Sequence, residues 1–228
     1  VKSASDINID LIVRSRRRTF SIEIERDGRL IVRAPQRASM EKVRQVVEEK
    51  RTWILRKQEM MRLRCAEAQP KRFVEGERFM YLGEAYPLSL DGRNGTPIKF
   101  DGNRFVLSDE YIANARNVFA AWYRGRAREH IARRAEQYAS AVGIGCGEVR
   151  ITSARRRWGS CTVQGNLCFT WRLVMAPPDV IDYVVVHELA HIKHPNHSSM
   201  FWMEVASIMP DFQRRRRWLR EHEHLMTL

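Results

Sequence analysis

The segment His187-Glu188-Leu189-Ala190-His191-Ile192-Lys193-His194-Pro195-Asn196-His197 constrains the fold of this chain more than any other stretch. It contains H-E-x-x-H and a further histidine six residues beyond. Positions i and i+4 share one face of an α-helix, so only a helix lets His187 and His191 reach one metal ion. Val180, Ile181, Val184, Val185, Val186, Leu189, Ala190 and Ile192 make the stretch apolar nearly all round, which predicts a buried helix. Two imidazoles and a carboxylate are costly to bury without partners, and a metal removes that cost. Pro177, Pro178 and Asp179 suit the first turn, where proline is tolerated and an acid favours the dipole. Tyr183-Val184-Val185-Val186 favours strand by propensity, but the metal geometry requires helix from about Pro178 to Lys193. His194 precedes proline and is pushed out of the α region.

Glu188 lies beside the two helical histidines, placed as general base for a water that the metal activates. His197 follows the Pro-Asn turn and is the expected third ligand, with Glu204 on the next helix as the alternative. His194 is on the His187 face but two turns, about 10 Å, further along the axis, so it is expected to line the cleft or cap the helix. Three protein ligands leave one tetrahedral position open, the arrangement of a catalytic rather than a structural zinc. The expectation is one zinc per chain on His187, His191 and His197.

The run H-E-L-A-H-I-K-H-P-N-H-S-S-M-F-W, residues 187–202, resembles the YgjP-like metallopeptidase family. Its wider relatives are the SprT-like zinc proteases, which have a histidine a few residues beyond H-E-x-x-H, near an aromatic pair. Arg157-Trp158-Gly159-Ser160-Cys161, Trp171-Arg172-Leu173 and Ala176-Pro177-Pro178 are similar to the same family. So are Arg14-Ser15-Arg16-Arg17-Arg18-Thr19 and Val32-Arg33-Ala34-Pro35 in the N-terminal half. The resemblance implies an α+β chain with a zincin-like catalytic domain and a β-rich N-terminal region. It places the ligand roles on His187, His191 and His197 and the base role on Glu188. A nucleotide pyrophosphatase activity has also been attached to the family.

A formal net charge of +13 comes largely from arginine, in runs at residues 16–18, 155–157 and 214–217. Such runs are either solvated faces or a surface for polyanions, DNA or nucleotide phosphates. The 155–157 run is the best placed, because it lies upstream of the active-site helix and beside Trp158. No apolar run is long enough to cross a bilayer, and no membrane partner is expected. Residues 1–6 carry no apolar signal region, and Cys65, Cys146, Cys161 and Cys168 show no C-x-x-C spacing. Free thiols and a cytoplasmic location are the expectation.

Strands are expected at residues 7–13, 19–26 and 29–33, the last two joined at Asp27-Gly28, then a helix capped by Ser39 to about residue 62. Val43, Val46, Val47, Trp53 and Ile54 should face inward on that helix, and residues 64–71 read as a linker. Short strands follow at 78–82, 86–90, 98–100 and 104–107, with Asn94-Gly95 among the turns. Ser108 is the expected cap of the longest helix, to about Val142, with a buried stripe at Phe119, Tyr123, Ala127, Ile131, Ala135, Tyr138 and Val142. That helix should pack on the zinc helix. Strands near 148–152 and 167–171 precede it, and 158–162 or 167–171 could supply an edge for an extended peptide. The chain is thus divided into a β-rich region, 1–108, and a catalytic domain, 109–228.

Three functions compete at this point. A zinc peptidase acting on peptide or protein, possibly near DNA, leads. A metal-dependent nucleoside triphosphate pyrophosphatase keeps the metal and changes the substrate, and a nucleic-acid-binding protein with a structural zinc needs no Glu188.

Overall fold

The structure, a computed structural model, describes residues 7–25, 27–67, 70–92 and 95–228. The N-terminal residues 1–6, linker positions Ala68 and Gln69, and Asn94 of one expected turn lie outside the described residues. The chain is mixed α and β and divides into two compact units, residues 1–69 and 70–228.

The first unit holds β1 (Leu11–Ser15), β2 (Ser21–Ile24), β3 (Leu30–Pro35), α1 (Met40–Glu49) and α2 (Arg51–Glu67). Strand β3 lies between the others, parallel to β1 and antiparallel to β2. Gly28, at φ +86, supplies the left-handed residue of the β2–β3 turn. Leu30, Val32 and Ala34 of β3 bury against Val43, Val47 and Ile54. The Ser39 side chain accepts from the Lys42 N–H at 3.2 Å, as a capping serine should. The single helix expected here breaks at Lys50. Ile54 stays on the buried face of Val43 and Val47, at the i, i+4, i+11 spacing of one helical stripe, while Trp53, one residue off that line, is left 47% exposed. The residues expected to begin a linker at Arg64 are still helical to Glu67.

The second unit opens with β4 (Arg78–Tyr81), β5 (Glu84–Asp91), β6 (Ile98–Phe100) and β7 (Phe105–Ser108), in sheet order β4-β5-β7-β6. Phe79, Phe105 and Phe119 stack in one aromatic cluster, Phe79 and Phe119 at 4.2 Å. Phe119 belongs to α3 (Ala115–Ala141). The expected boundary at residue 108 is therefore displaced to 69, because the sheet of residues 78–108 shares its core with α3. Ser108 makes no capping hydrogen bond, and a 3₁₀ turn, Asp109–Asn114, comes before α3. The α3 stripe is buried from Phe119 through Ala135 as expected, and Ala139 takes the place given to Tyr138 and Val142.

Three short strands follow, β8 (Val149–Thr152), β9 (Gly159–Cys161) and β10 (Leu167–Thr170). The order is β8-β10-β9, so β10 is paired on both sides and β9 is an edge. Cys161 is opposite Leu167 and Cys168 opposite Ser160, and all four cysteines are free. A 3₁₀ turn, Trp171–Met175, leads into α4 (Pro178–Lys193), α5 (Ser199–Ile208) and α6 (Phe212–His222).

Helix α4 has the bounds its pattern predicts, and ten of its residues, among them Asp182 and Glu188, are buried. Its start is pinned from the sheet side. The N–H groups of Leu82 and Gly83 donate to the carbonyls of Val174 and Met175 at 2.9 and 3.0 Å. Gly83 has φ +91, and a Cβ there would lie 2.7 Å from Pro177 Cγ, so only glycine fits. Helix α3 holds α4 through Arg134, whose Nε donates to Asp182 Oδ1 at 2.5 Å, with the Tyr138 hydroxyl donating to the same carboxylate at 3.3 Å. This pairing is what makes a buried aspartate tolerable on α4. No helix among the described residues is long and apolar enough to cross a membrane.

Candidate metal centre

His187 and His191 project from successive turns of α4, and His197 returns from the loop between α4 and α5. One ring nitrogen of each lies within 4.8 Å of the other two. Nε2 of His187 and Nε2 of His197 are 3.0 Å apart. Donors bound to one tetrahedral ion at about 2 Å lie about 3.3 Å from one another, so ångström-scale side-chain rotation is enough to complete a site. Among the described residues no other group of histidine, cysteine and carboxylate converges in this way.

The loop geometry follows from one proline. His194 is extended, φ −127 and ψ 94, as a residue before proline must be. Leaving the helix there turns its carbonyl back, and His191 Nδ1 donates to it at 3.0 Å. That bond fixes the His191 tautomer and leaves Nε2 with a free lone pair. His194 thus contributes a backbone carbonyl, while its side chain lies outside the histidine cluster. Glu204 is also outside it, engaged with Lys193 Nζ at 2.7 Å.

Below the cluster sits Phe201, fully buried, with its ring centroid 4.5–4.9 Å from all three imidazoles. Trp202 stacks on His197 at 5.7 Å and on Phe212 at 5.3 Å, and the Arg216 guanidinium lies 4.7 Å from the Trp202 ring. Burial lowers the His187 pKa to about 3, with the neighbouring His191 and His197 adding to the shift. Burial also lowers His197, again with help from His191. Both rings are therefore neutral near pH 7, the state in which imidazole binds a metal. Three imidazole donors with one tautomer anchored suit a divalent ion that prefers nitrogen.

Glu188, next to His187 on α4, lies against β9 in the same cleft as the histidines. Burial raises its pKa to about 7, against the pull of the Arg157 guanidinium. A Cβ at Gly159 would stand 2.5 Å from Glu188 Oε1 and 2.6 Å from its Cγ. The strand can pass this close only because residue 159 has no side chain. Together the histidines, Glu188, and the hairpin from Gly159 to Gly165 line a cleft of about 660 Å³.

A family model for the YgjP-like metallopeptidase domain matches residues 18–222. The chain belongs to this family. As a YgjP-like metallopeptidase it is a hydrolase that uses a metal ion and acts on peptide or protein. A search of curated proteins returns no match. Among solved structures, the metallopeptidase zymogen abylysin of Pyrococcus abyssi is 22% identical, with a TM-score of 0.37. The match covers 40% of this chain and 93% of that one.

The H-E-x-x-H pattern pointed to His187, Glu188 and His191, and the Pro-Asn turn pointed to His197. Gly159, Phe201 and Asp182 were given no role. Nothing in a single sequence distinguishes a glycine held by close approach from one in an ordinary turn. Asp182 looked like one polar residue on an apolar helix, and its partner Arg134 is remote in sequence.

Proposed function

We propose that the chain is a zinc-dependent peptidase in which His187, His191 and His197 hold the metal and Glu188 is the general base. The observation that carries this reading is the convergence of three imidazole nitrogens beside a buried carboxylate in one cleft. Zinc held there would polarise the scissile carbonyl and acidify a water molecule. Glu188 takes the proton from that water and passes it to the leaving amine; burial holds its pKa near neutrality, where a group can do both. The free edge of β9 borders the same cleft, and an extended peptide pairing with it would lay its backbone across Glu188. Of the two edges weighed from sequence, β9 is the one open to pairing, because β10 is engaged on both sides.

The test is Glu188→Gln in the zinc-loaded protein, assayed on an unstructured protein substrate. Zinc content and thermal melting should match the parent, while hydrolysis falls by about 10²- to 10⁴-fold. Activity within about twofold of the parent, far below that range, would disprove the base assignment.

A further inference from the structure

Ser153, in the loop between β8 and β9, is met by two guanidiniums from different elements. Arg124 of α3 donates to its hydroxyl at 3.2 Å, and Arg172, from the 3₁₀ turn before α4, donates to its carbonyl at 3.3 Å. Two residues on, Arg155 is exposed, followed by exposed Arg156 and Arg157. None of the five is in an ion pair among the described residues, and only Arg157 is near enough to a carboxylate, Glu188, to act on it. Arg172 is held rigidly by stacking over Trp171 at 4.1 Å, and Trp171 is itself buried. Its burial, with Arg155 close by, disfavours its charge. Like charges drawn together on a partly buried platform cost stability that the chain does not recover internally. Other arginines, such as Arg134 and Arg215, are matched with aspartates.

We propose that Arg124, Arg155 and Arg172 form a binding site for the phosphodiester backbone of a nucleic acid, extended by Arg156 and Arg157 toward the cleft. The ligand has to be an oxyanion, because guanidiniums offer only donors. A single carboxylate, with one charge and two oxygens, cannot satisfy three forks, whereas successive phosphates can. The position of Arg157 supports the direction of the track: it lies two residues before Gly159, which lines the cleft, so the run ends at the cleft mouth. The overall charge of +13 adds long-range attraction for a polyanion.

The full metal-loaded chain, titrated into a labelled single-stranded DNA oligonucleotide at several salt concentrations, tests this by fluorescence anisotropy. Binding should weaken as salt rises. Arg155→Gln, whose side chain makes no hydrogen bond or ion pair that folding needs, should reduce the salt slope by about 0.7 and weaken affinity about fivefold at 0.1 M salt. Arg172→Lys, which keeps the charge and loses the fork, should weaken binding without changing the slope. Arg217→Gln, exposed on α6, should leave both unchanged. No binding at low salt overturns the proposal. So does an equal loss from the Arg155 and Arg217 variants, which would mean diffuse charge. Displacement by polyglutamate as effective, charge for charge, as by unlabelled oligonucleotide also overturns it, and would assign the surface to acidic protein segments.

Discussion

The two sides of the candidate metal centre are held in different ways. His187 and His191 are carried by a helix whose apolar residues are buried nearly all round, so their spacing is fixed by backbone hydrogen bonds and core packing. His197 is exposed, belongs to a loop, and is held by what its ring touches: Phe201 beneath and Trp202 alongside. The helical side is over-determined, and losing one contact hardly moves it. The loop side depends on a few aromatic faces, so it is where metal affinity can be adjusted without disturbing the core. Metal sites commonly owe much of their affinity to such outer partners.

This contrast can be broken by substitution. The double change His187→Ala and His191→Ala should abolish metal binding; full metal occupancy by elemental analysis would mean that the helical side is not the foundation of the site. Next in size is Gly159→Ala. The new methyl cannot coexist with the Glu188 carboxyl at 2.5 Å, so either β9 or the carboxylate must shift. Metal content should persist while kcat falls by about 10²-fold, the lower end of what a general base contributes, with KM changed much less. A drop in KM-controlled binding with kcat intact would show that Gly159 serves the strand edge and not the carboxylate.

Trp202→Ala should weaken metal affinity by about tenfold, within the range for outer partners, and Trp202→Phe should restore most of it. Competition with a chelator measures both. An unchanged affinity would place the loop side under the same backbone control as the helix. The smallest effect is expected from His194→Ala. It keeps the carbonyl that accepts from His191, so affinity should stay within about twofold of the parent, well under the loss that removing an outer partner causes.

Where the pattern of the sequence coincides with the pattern of the fold, the reading was direct. Helix α4 was legible to its terminal residues because apolar periodicity, a proline at each end and ligand spacing all demand the same conformation. The β2–β3 turn was legible because Asp27-Gly28 has one good backbone solution. The interval from Ser39 to residue 62 was not, because helical propensity and the apolar spacing of Val43, Val47 and Ile54 are both continuous across the break at Lys50. Similarly, strands between residues 78 and 108 were found nearly in place, but which helix they pack on is a property of Phe79, Phe105 and Phe119 meeting in space. At the site, His197 could be reached by chain geometry alone, whereas Gly159 and Asp182 act through partners far away in sequence.

The open edge of β9 has a consequence for the molecule in concentrated solution. An unpaired strand is as available to another copy of the chain as to a substrate, and edge-to-edge pairing is a common start to aggregation. Here the exposed edge is three residues long, too short to sustain an intermolecular sheet by itself. One residue before it stand three exposed arginines, residues 155–157, which a second copy would have to bring against its own. Brevity and repulsion thus let the chain keep a strand end bare at its cleft without inviting its own kind to fill it.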